Sequence, residues 1–291
     1  MKKINTSNVS KSNSKIKIVI SILIILIASF AIFYTYKKPI INIFPKHEES
    51  ILNASSSISF NESNDFYTIN ANYPNDPIDK NGVIKTTVEY WINQDKQDWK
   101  IGGDTYNSEI ELRKKYPDMS KPAYELDINY TKEISEKFQT VTYTIEKYEF
   151  TGGAHGNTII ATFTFDKNGQ ITTDDLFDFK PEQNKSDIDL VKILSSKLEK
   201  SLGEDLDKDM LSQGLGLAYY KADGSFDKKA CSCDGFLPAS NFQNFSILDE
   251  GIKFKMNQYS VAPYVDGMPE AIIPWLELKP FLSKYFLNKL K

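Results

Sequence analysis

"YEFTGGAHGNTIIATFTFDKNG", residues 148–169, decides how the rest of the chain is read. Aromatic and β-branched residues dominate on both sides of a knot of three glycines and one histidine. Such runs favour strands, and glycine reaches the positive φ angles of a tight connection without steric cost. The stretch therefore predicts two long strands, Thr140–Phe150 and Thr158–Phe165, joined at GGAHG. A further hairpin turn is expected at "DKNG". In "TVTYTIEKYEF", Val141, Tyr143 and Ile145 share one parity with Lys147, while Tyr148 and Phe150 take the other. That slip in the apolar pattern predicts a β-bulge near Lys147.

Outward from this hairpin the pattern alternates between strand and helix. "FYTINANY" (Phe66–Tyr73) stops at Pro74 and reads as a strand. Val83 to Trp99 carries Val83, Ile84, Val88, Trp91 and Ile92 at helical spacing, with Asp79 and Asn81 as candidate caps. A second short helix is expected before Pro117, and Ala123–Tyr130 alternates as a strand. Ile188–Leu202 is amphipathic, with Ile188, Val191, Leu194 and Leu198 on one face. Asn241–Leu248 and Gly251–Asn257 form a hairpin through "LDEG". Pro274–Leu287 reads as a last helix. These elements predict an α+β fold, antiparallel strands with helices packed on one face.

Composition narrows the chemistry. The chain has 291 residues with 2 His and 2 Cys. His47 lies outside the patterned region, so the body holds His155 alone. A zinc site built on several histidines is excluded on that count. His155 is the one candidate base, yet no G-x-S-x-G elbow or cysteine-protease motif supplies its nucleophile. GGAHG also lacks the G-x-x-x-x-G-K pattern of a phosphate loop. No catalytic, cofactor-binding or metal-ligating residue is assigned, and no cofactor is expected. Gly152, Gly153, His155 and Gly156 stand as a structural or binding loop. Cys231 and Cys233, in "ACSCDGF", are either free thiols or a strained local pair.

Charge and hydropathy are unevenly placed. Residues 1–36 contain five lysines and no acid, so residues 37–291 carry −9 against −4 for the whole chain. An acidic body is a poor partner for nucleic-acid phosphates. Ile18–Tyr36, "IVISILIILIASFAIFYTY", is 19 residues without charge, about 28 Å as a helix, which matches a bilayer core. It lacks the small-residue A-x-A ending of a cleaved signal. Five lysines precede it, which predicts a single-pass anchor with the N-terminus in the cytoplasm and the body outside. The expected organisation is a cytoplasmic tail (1–17), an anchor (18–36), a stalk (37–63) and an extracytoplasmic domain (64–288). Two subdomains are expected to meet near 165–185.

The body resembles the extracytoplasmic domain family shared by the peptidoglycan deacetylase PdaC and the lysozyme-sensing anti-sigma factor RsiV. The residues that carry the resemblance are "YEFTGGAHGNT…TFDKNGQITTDDLF", "FYTINANYP" with the "NGVIKTTVEYWI" helix, and "NFSILDEGIKFKMNQYSVAPYVDGMPEAIIPWLELKPFL". They span roughly residues 64–288. The deacetylase relatives add a catalytic domain that these residues do not match, and the anti-sigma relative has a longer cytoplasmic segment. The resemblance therefore implies a membrane-anchored, non-enzymatic binding or sensing module of the cell envelope, without sigma-factor binding. Its expected ligand is a lysozyme-like protein or peptidoglycan, with Tyr259, Tyr264 and Trp275 as candidate binding aromatics. The alternative is an envelope glycan hydrolase or deacetylase-associated protein whose catalytic acids are not singled out.

Overall fold

A computed structural model describes residues 56–64, 66–101, 103–116, 124–179, 185–203, 206–220, 226–227 and 238–290. The expected anchor, the cytoplasmic tail, most of the stalk, Cys231 and Cys233 lie outside them. Among the described residues no helix is long and apolar enough to cross a membrane.

The chain opens with β1 (Ser56–Ser63) and β2 (Tyr67–Asn75), followed by α1 (Val83–Ile101) and α2 (Gly103–Lys115). Next come β3 (Tyr124–Ser135), β4 (Thr140–Phe150), β5 (Asn157–Asp166) and β6 (Gly169–Ile171). These six strands form one sheet in chain order. The short α3 (Thr173–Leu176) leads to α4 (Lys185–Leu202), α5 (Lys208–Gly214) and the two-residue strands β7 (Tyr219–Tyr220) and β8 (Phe226–Asp227). A second sheet, ordered β11-β10-β9, is built from β9 (Phe245–Ile247), β10 (Gly251–Lys255) and β11 (Glu270–Pro274). Two short helices, α6 (Trp275–Leu278) and α7 (Lys284–Lys289), finish the fold.

The α+β class holds, but the large sheet is mixed. β2 and β3 pair in parallel, because the two helices between them carry the chain back to the same end of the sheet. Asp79 starts α1 as the sequence predicts: Val83 N donates to its Oδ1 and Ile84 N to its Oδ2, both at 2.9 Å. One stripe of α1, Ile84, Val88 and Ile92, then lies on Ile69, Leu126, Ile128, Val141, Tyr143 and Ile145 of β2, β3 and β4. These side chains are almost wholly removed from water, at roughly 1.5–3 kcal/mol each for the aliphatic ones.

On the large sheet α1 packs against one face, as expected; what the sequence does not announce is that the opposite face is closed by the second sheet. Residues of one parity in β9–β11, namely Phe245, Ile247, Ile252, Phe254, Ala271 and Ile273, face Leu190, Val191, Leu194 and Leu198 of α4 in a second apolar core. The other parity meets the large sheet through polar groups. Thr142 and Thr164 share a hydrogen bond of 2.9 Å, and Thr164 Oγ1 donates to the carbonyl of Phe245. Phe245 N donates to Thr162 Oγ1 at 2.8 Å. Glu133 of β3 accepts from Ser246 at 2.6 Å, pairs with Lys253, and lies 3.3 Å from the buried Lys255. These partners hold the Glu133 carboxyl below its ordinary range, outweighing the opposing effect of its burial.

The bulge predicted near Lys147 is absent: β4 keeps unbroken register with β3 and with β5. The slip in apolar pattern has another cause. Lys147 is buried under α1, where its Nζ lies 2.6 Å from Asp95 and 3.3 Å from Glu149. Burial pushes the Asp95 carboxyl up to about 6, against the pull of Lys147, and its Oδ2 has no hydrogen-bond partner among the described residues. Ser56–Ser63, assigned to the stalk in sequence, is the edge strand β1. The expected last helix is divided. Glu270–Pro274 is a strand, and Pro280, which has no N–H, separates α6 from α7. Ser283 restarts the helix by accepting from Phe286 N.

Candidate functional site

The three glycines of GGAHG serve two different needs. Gly152 and Gly153 have φ of +99° and +101°, a region closed to most side chains. Gly156 has ordinary φ but no room: a Cβ there would lie 2.4 Å from the Tyr148 ring and 2.6 Å from the carbonyl of Glu149. The six-residue connection 151–156 thus folds tightly over the end of β4 and presents His155 to solvent.

His155 Nδ1 lies 2.9 Å from the carbonyl of Gly156. A carbonyl only accepts, so Nδ1 carries the proton, and in the neutral ring Nε2 is left to accept from the Tyr259 hydroxyl 3.1 Å away. The imidazole also stacks on Tyr264, centroids 4.0 Å apart at 24°. Tyr259 and Tyr264 are themselves 5.6 Å apart. A carbonyl and two phenols do not form a nucleophile, base and orienter. What the three rings offer is surface: Tyr259 is 44% exposed, Tyr264 37% and the adjacent Val265 86%.

Two short segments bring the tyrosines here. Residues 257–260 form a turn in which Ser260 N donates to the carbonyl of Asn257 at 3.1 Å. Tyr259 takes φ +64° in it, an uncommon angle for a bulky residue that turns its ring toward His155. Val261 and Ala262 are buried and pin the next segment, from which Tyr264–Asp266 projects as a short 3-10 turn closed by Gly267 at φ +67°. The ring cluster thus joins a loop of the large sheet to a loop of the small one.

Trp275 does not join it. Its Nε1 donates to the carbonyls of Leu248 and Asp249, and its ring packs on Phe138 and Phe286. Phe138 belongs to the β3–β4 turn, at the far end of β4 from residues 151–156.

Sequence reasoning missed the amides that fasten this region together. Asn244 Oδ1 accepts from Thr162 N at 3.2 Å, Asn257 Oδ1 from Ile160 N at 2.8 Å and Gln258 Oε1 from Thr158 N at 3.0 Å. Three N–H groups on the outer edge of β5 are thereby satisfied by side chains where no neighbouring strand runs. The only signal in sequence is the clustering of Asn and Gln in "NFQN" and "NQYS".

Residues 174–276 match a family described as a protein of unknown function, DUF3298. Tyr259 and Tyr264 fall inside that match and His155 outside it. The chain is 28% identical over 169 residues to the peptidoglycan-N-acetylmuramic acid deacetylase PdaC of Bacillus subtilis (strain 168), an alignment covering 57% of this chain and 31% of that protein. The chain thus matches only about a third of the length of this relative. A crystal structure of a DUF3298 member from Bacteroides fragilis NCTC 9343 has the same fold, with a TM-score of 0.50 at 20% identity, covering 82% of this chain and 97% of that one. A second, from Pseudomonas aeruginosa PAO1, gives a TM-score of 0.45 at 14% identity, covering 81% of this chain and 97% of that one. Residues 174–276 thus match the DUF3298 family, and over 169 residues the chain is similar to part of PdaC.

Proposed function

We propose that this module is a non-enzymatic binding domain of the cell envelope, held outside the membrane by Ile18–Tyr36, which takes peptidoglycan glycan on the surface formed by His155, Tyr259 and Tyr264. The observation that carries the reading is the exposed ring cluster. The C–H faces of a sugar pack well on flat rings whose polar tips stay wet. PdaC, which acts on peptidoglycan N-acetylmuramic acid by its name, supports the ligand class.

A second reading, a basic lysozyme-like protein, is favoured by the −9 charge of residues 37–291. Long-range attraction would speed that encounter and would be screened beyond about 8 Å at physiological salt. The two separate in one experiment. Binding of soluble cell-wall fragments and of lysozyme to the full chain is measured at low and high salt, with Tyr264→Ala alongside. The glycan reading expects fragment binding that is insensitive to salt and at least tenfold weaker in Tyr264→Ala. Lysozyme binding that collapses with salt, with no fragment binding, would overturn it.

A further inference from the structure

The turn at residues 257–260 does more than aim a tyrosine. Beside it lies a pocket of about 180 Å³ lined by Gly214, Asn241, Asn244, Met256, Asn257 and Val261, among others. Tyr259 stands between two residues of that lining, Asn257 and Ser260. One four-residue turn therefore carries both a ring of the exposed cluster and a wall of the pocket.

The hydrogen bonds to β5 fix the chemistry of this pocket. A backbone N–H only donates, so the atoms of Asn244 and Asn257 that meet Thr162 N and Ile160 N must be their oxygens. Each amide has one other polar end, its Nδ2, and neither donates to any acceptor among the described residues. Asn241 is oriented the opposite way. Its Nδ2 donates to the carbonyl of Leu215 at 3.2 Å, which leaves Oδ1 as the acceptor. Asn241 is buried, and so are the apolar Met256 and Val261 on the same lining. Lys255, Ser240 and Ser260 also line it; the Lys255 ammonium is held by Glu133, Glu270 and Thr144, and the Ser260 hydroxyl donates to the carbonyl of Asn257. Beside these engaged groups the pocket offers the Asn244 and Asn257 donors, the Asn241 acceptor and an apolar wall.

That set matches an acetamido group, which presents one carbonyl acceptor, one N–H donor and a methyl. We infer that the pocket is a subsite for the N-acetyl group of an amino sugar whose ring stacks on the adjacent aromatic cluster. This rests on the glycan reading above and narrows it: a protonated amine has no acceptor for the donors of Asn244 and Asn257, and a hydroxyl has no methyl to fill the apolar wall. Groups built to hydrogen-bond a ligand discriminate strongly against an analogue that lacks the partner atom.

Asn→Asp is the discriminating substitution. It keeps an oxygen to accept from β5 and turns the Nδ2 donor into a charged acceptor, which repels the acetamido carbonyl. The full chain is titrated calorimetrically with a chitotetraose-type N-acetylglucosamine oligomer and with its de-N-acetylated glucosamine counterpart, for the wild type, Asn244→Asp, Asn257→Asp and Tyr264→Ala. Thermal unfolding of each variant is recorded in parallel. The expected result is binding of the acetylated oligomer at least tenfold tighter than the amine form. Asn244→Asp and Asn257→Asp should remove that preference with unchanged melting temperature, and Tyr264→Ala should weaken both oligomers. If Tyr264→Ala weakens binding while both Asn→Asp variants keep the acetyl preference, the subsite is wrong and the ring surface stands. If the wild type binds neither oligomer, both ideas fall. A variant that loses its melting transition is replaced by the other Asn→Asp change, whose retained preference still overturns the subsite.

Discussion

The two faces of the six-stranded sheet are both covered, but by opposite chemistry. Under α1 the contact is aliphatic and aromatic, built on Leu126, Val141, Tyr143 and Ile145. Under the small sheet it is a layer of threonines, serine, lysines and glutamates, with Thr140, Thr142, Thr144, Thr164 and Ser246 all buried. Apolar burial is non-directional and tolerates small shifts. A polar layer is satisfied only in one register, because each displaced donor is left without a partner. The first face supplies most of the stability; the second fixes where β9–β11, and with them Tyr259 and Tyr264, sit on the large sheet.

The largest expected effect tests the first half of that contrast. Leu126→Ala, at a wholly buried position on the α1 face, should destabilise by about 3–4 kcal/mol in urea unfolding. Next is Glu133→Ala, which strips Lys253 and Lys255 of a shared partner while Glu270 remains nearby. A loss of about 3 kcal/mol is expected, at the lower end for breaking a buried pair. If Glu133→Ala is silent while Leu126→Ala is not, the polar layer does not fix the docking of the second sheet.

Acid–base behaviour sharpens the comparison, because each face has a carboxylate shifted the opposite way. Asp95 is raised to about 6 from 3.8. Between those values the folded protein holds a proton that the unfolded chain has released, so stability falls as pH rises from about 4 to 6. Glu133 is lowered from 4.5, so its contribution is present above that value and is lost as pH falls. Urea unfolding from pH 3 to 7 should show Asp95→Asn flattening the decline above pH 4 and Glu133→Gln flattening the acid limb. Identical profiles for the two variants would remove the distinction. The smallest effect belongs to the exposed loop: His155→Ala should change stability by no more than about 0.5 kcal/mol, while Gly156→Ala, forced against Tyr148 and the Glu149 carbonyl, should cost about 1–3 kcal/mol.

The same contrast explains what was legible in sequence. Alternation along β4 and β5 correctly marks two strands, and the 3.6-residue spacing from Val83 and from Ile188 marks α1 and α4. Alternation does not say what covers the polar face. Threonines facing a second amphipathic sheet look the same as threonines facing water, which is why the alternation gives no sign of the second sheet on that face. Lys147 and Glu149 misled in the same way, since buried charges that find partners mimic a break in apolar phase. β1 was hidden because "SSISFNES" is polar at an exposed edge. At the candidate site, the glycines and His155 stand out by composition. Their meeting with Tyr259 and Tyr264, about 104 residues on, depends on the closure of one sheet over another. Trp275 shares the aromatic character of the two tyrosines but is drawn to the opposite end of β4.

The order of the strands also sets a direction. Ser63 pairs with Thr68 near the start of β2, which lies in parallel register with the start of β3, and the start of β3 pairs with Phe150 at the GGAHG end. Ser56 pairs with Asn75 and so lies at the other end. The chain enters the domain at one pole of the sheet and displays its rings at the other, with at least the 8 residues of β1, about 26 Å, in between. Within the domain the sheet acts as a rigid strut: it holds the start of β1 and the ring cluster a fixed distance apart, so that a group joined at Ser56 and a ligand on the rings would meet opposite poles of the same sheet.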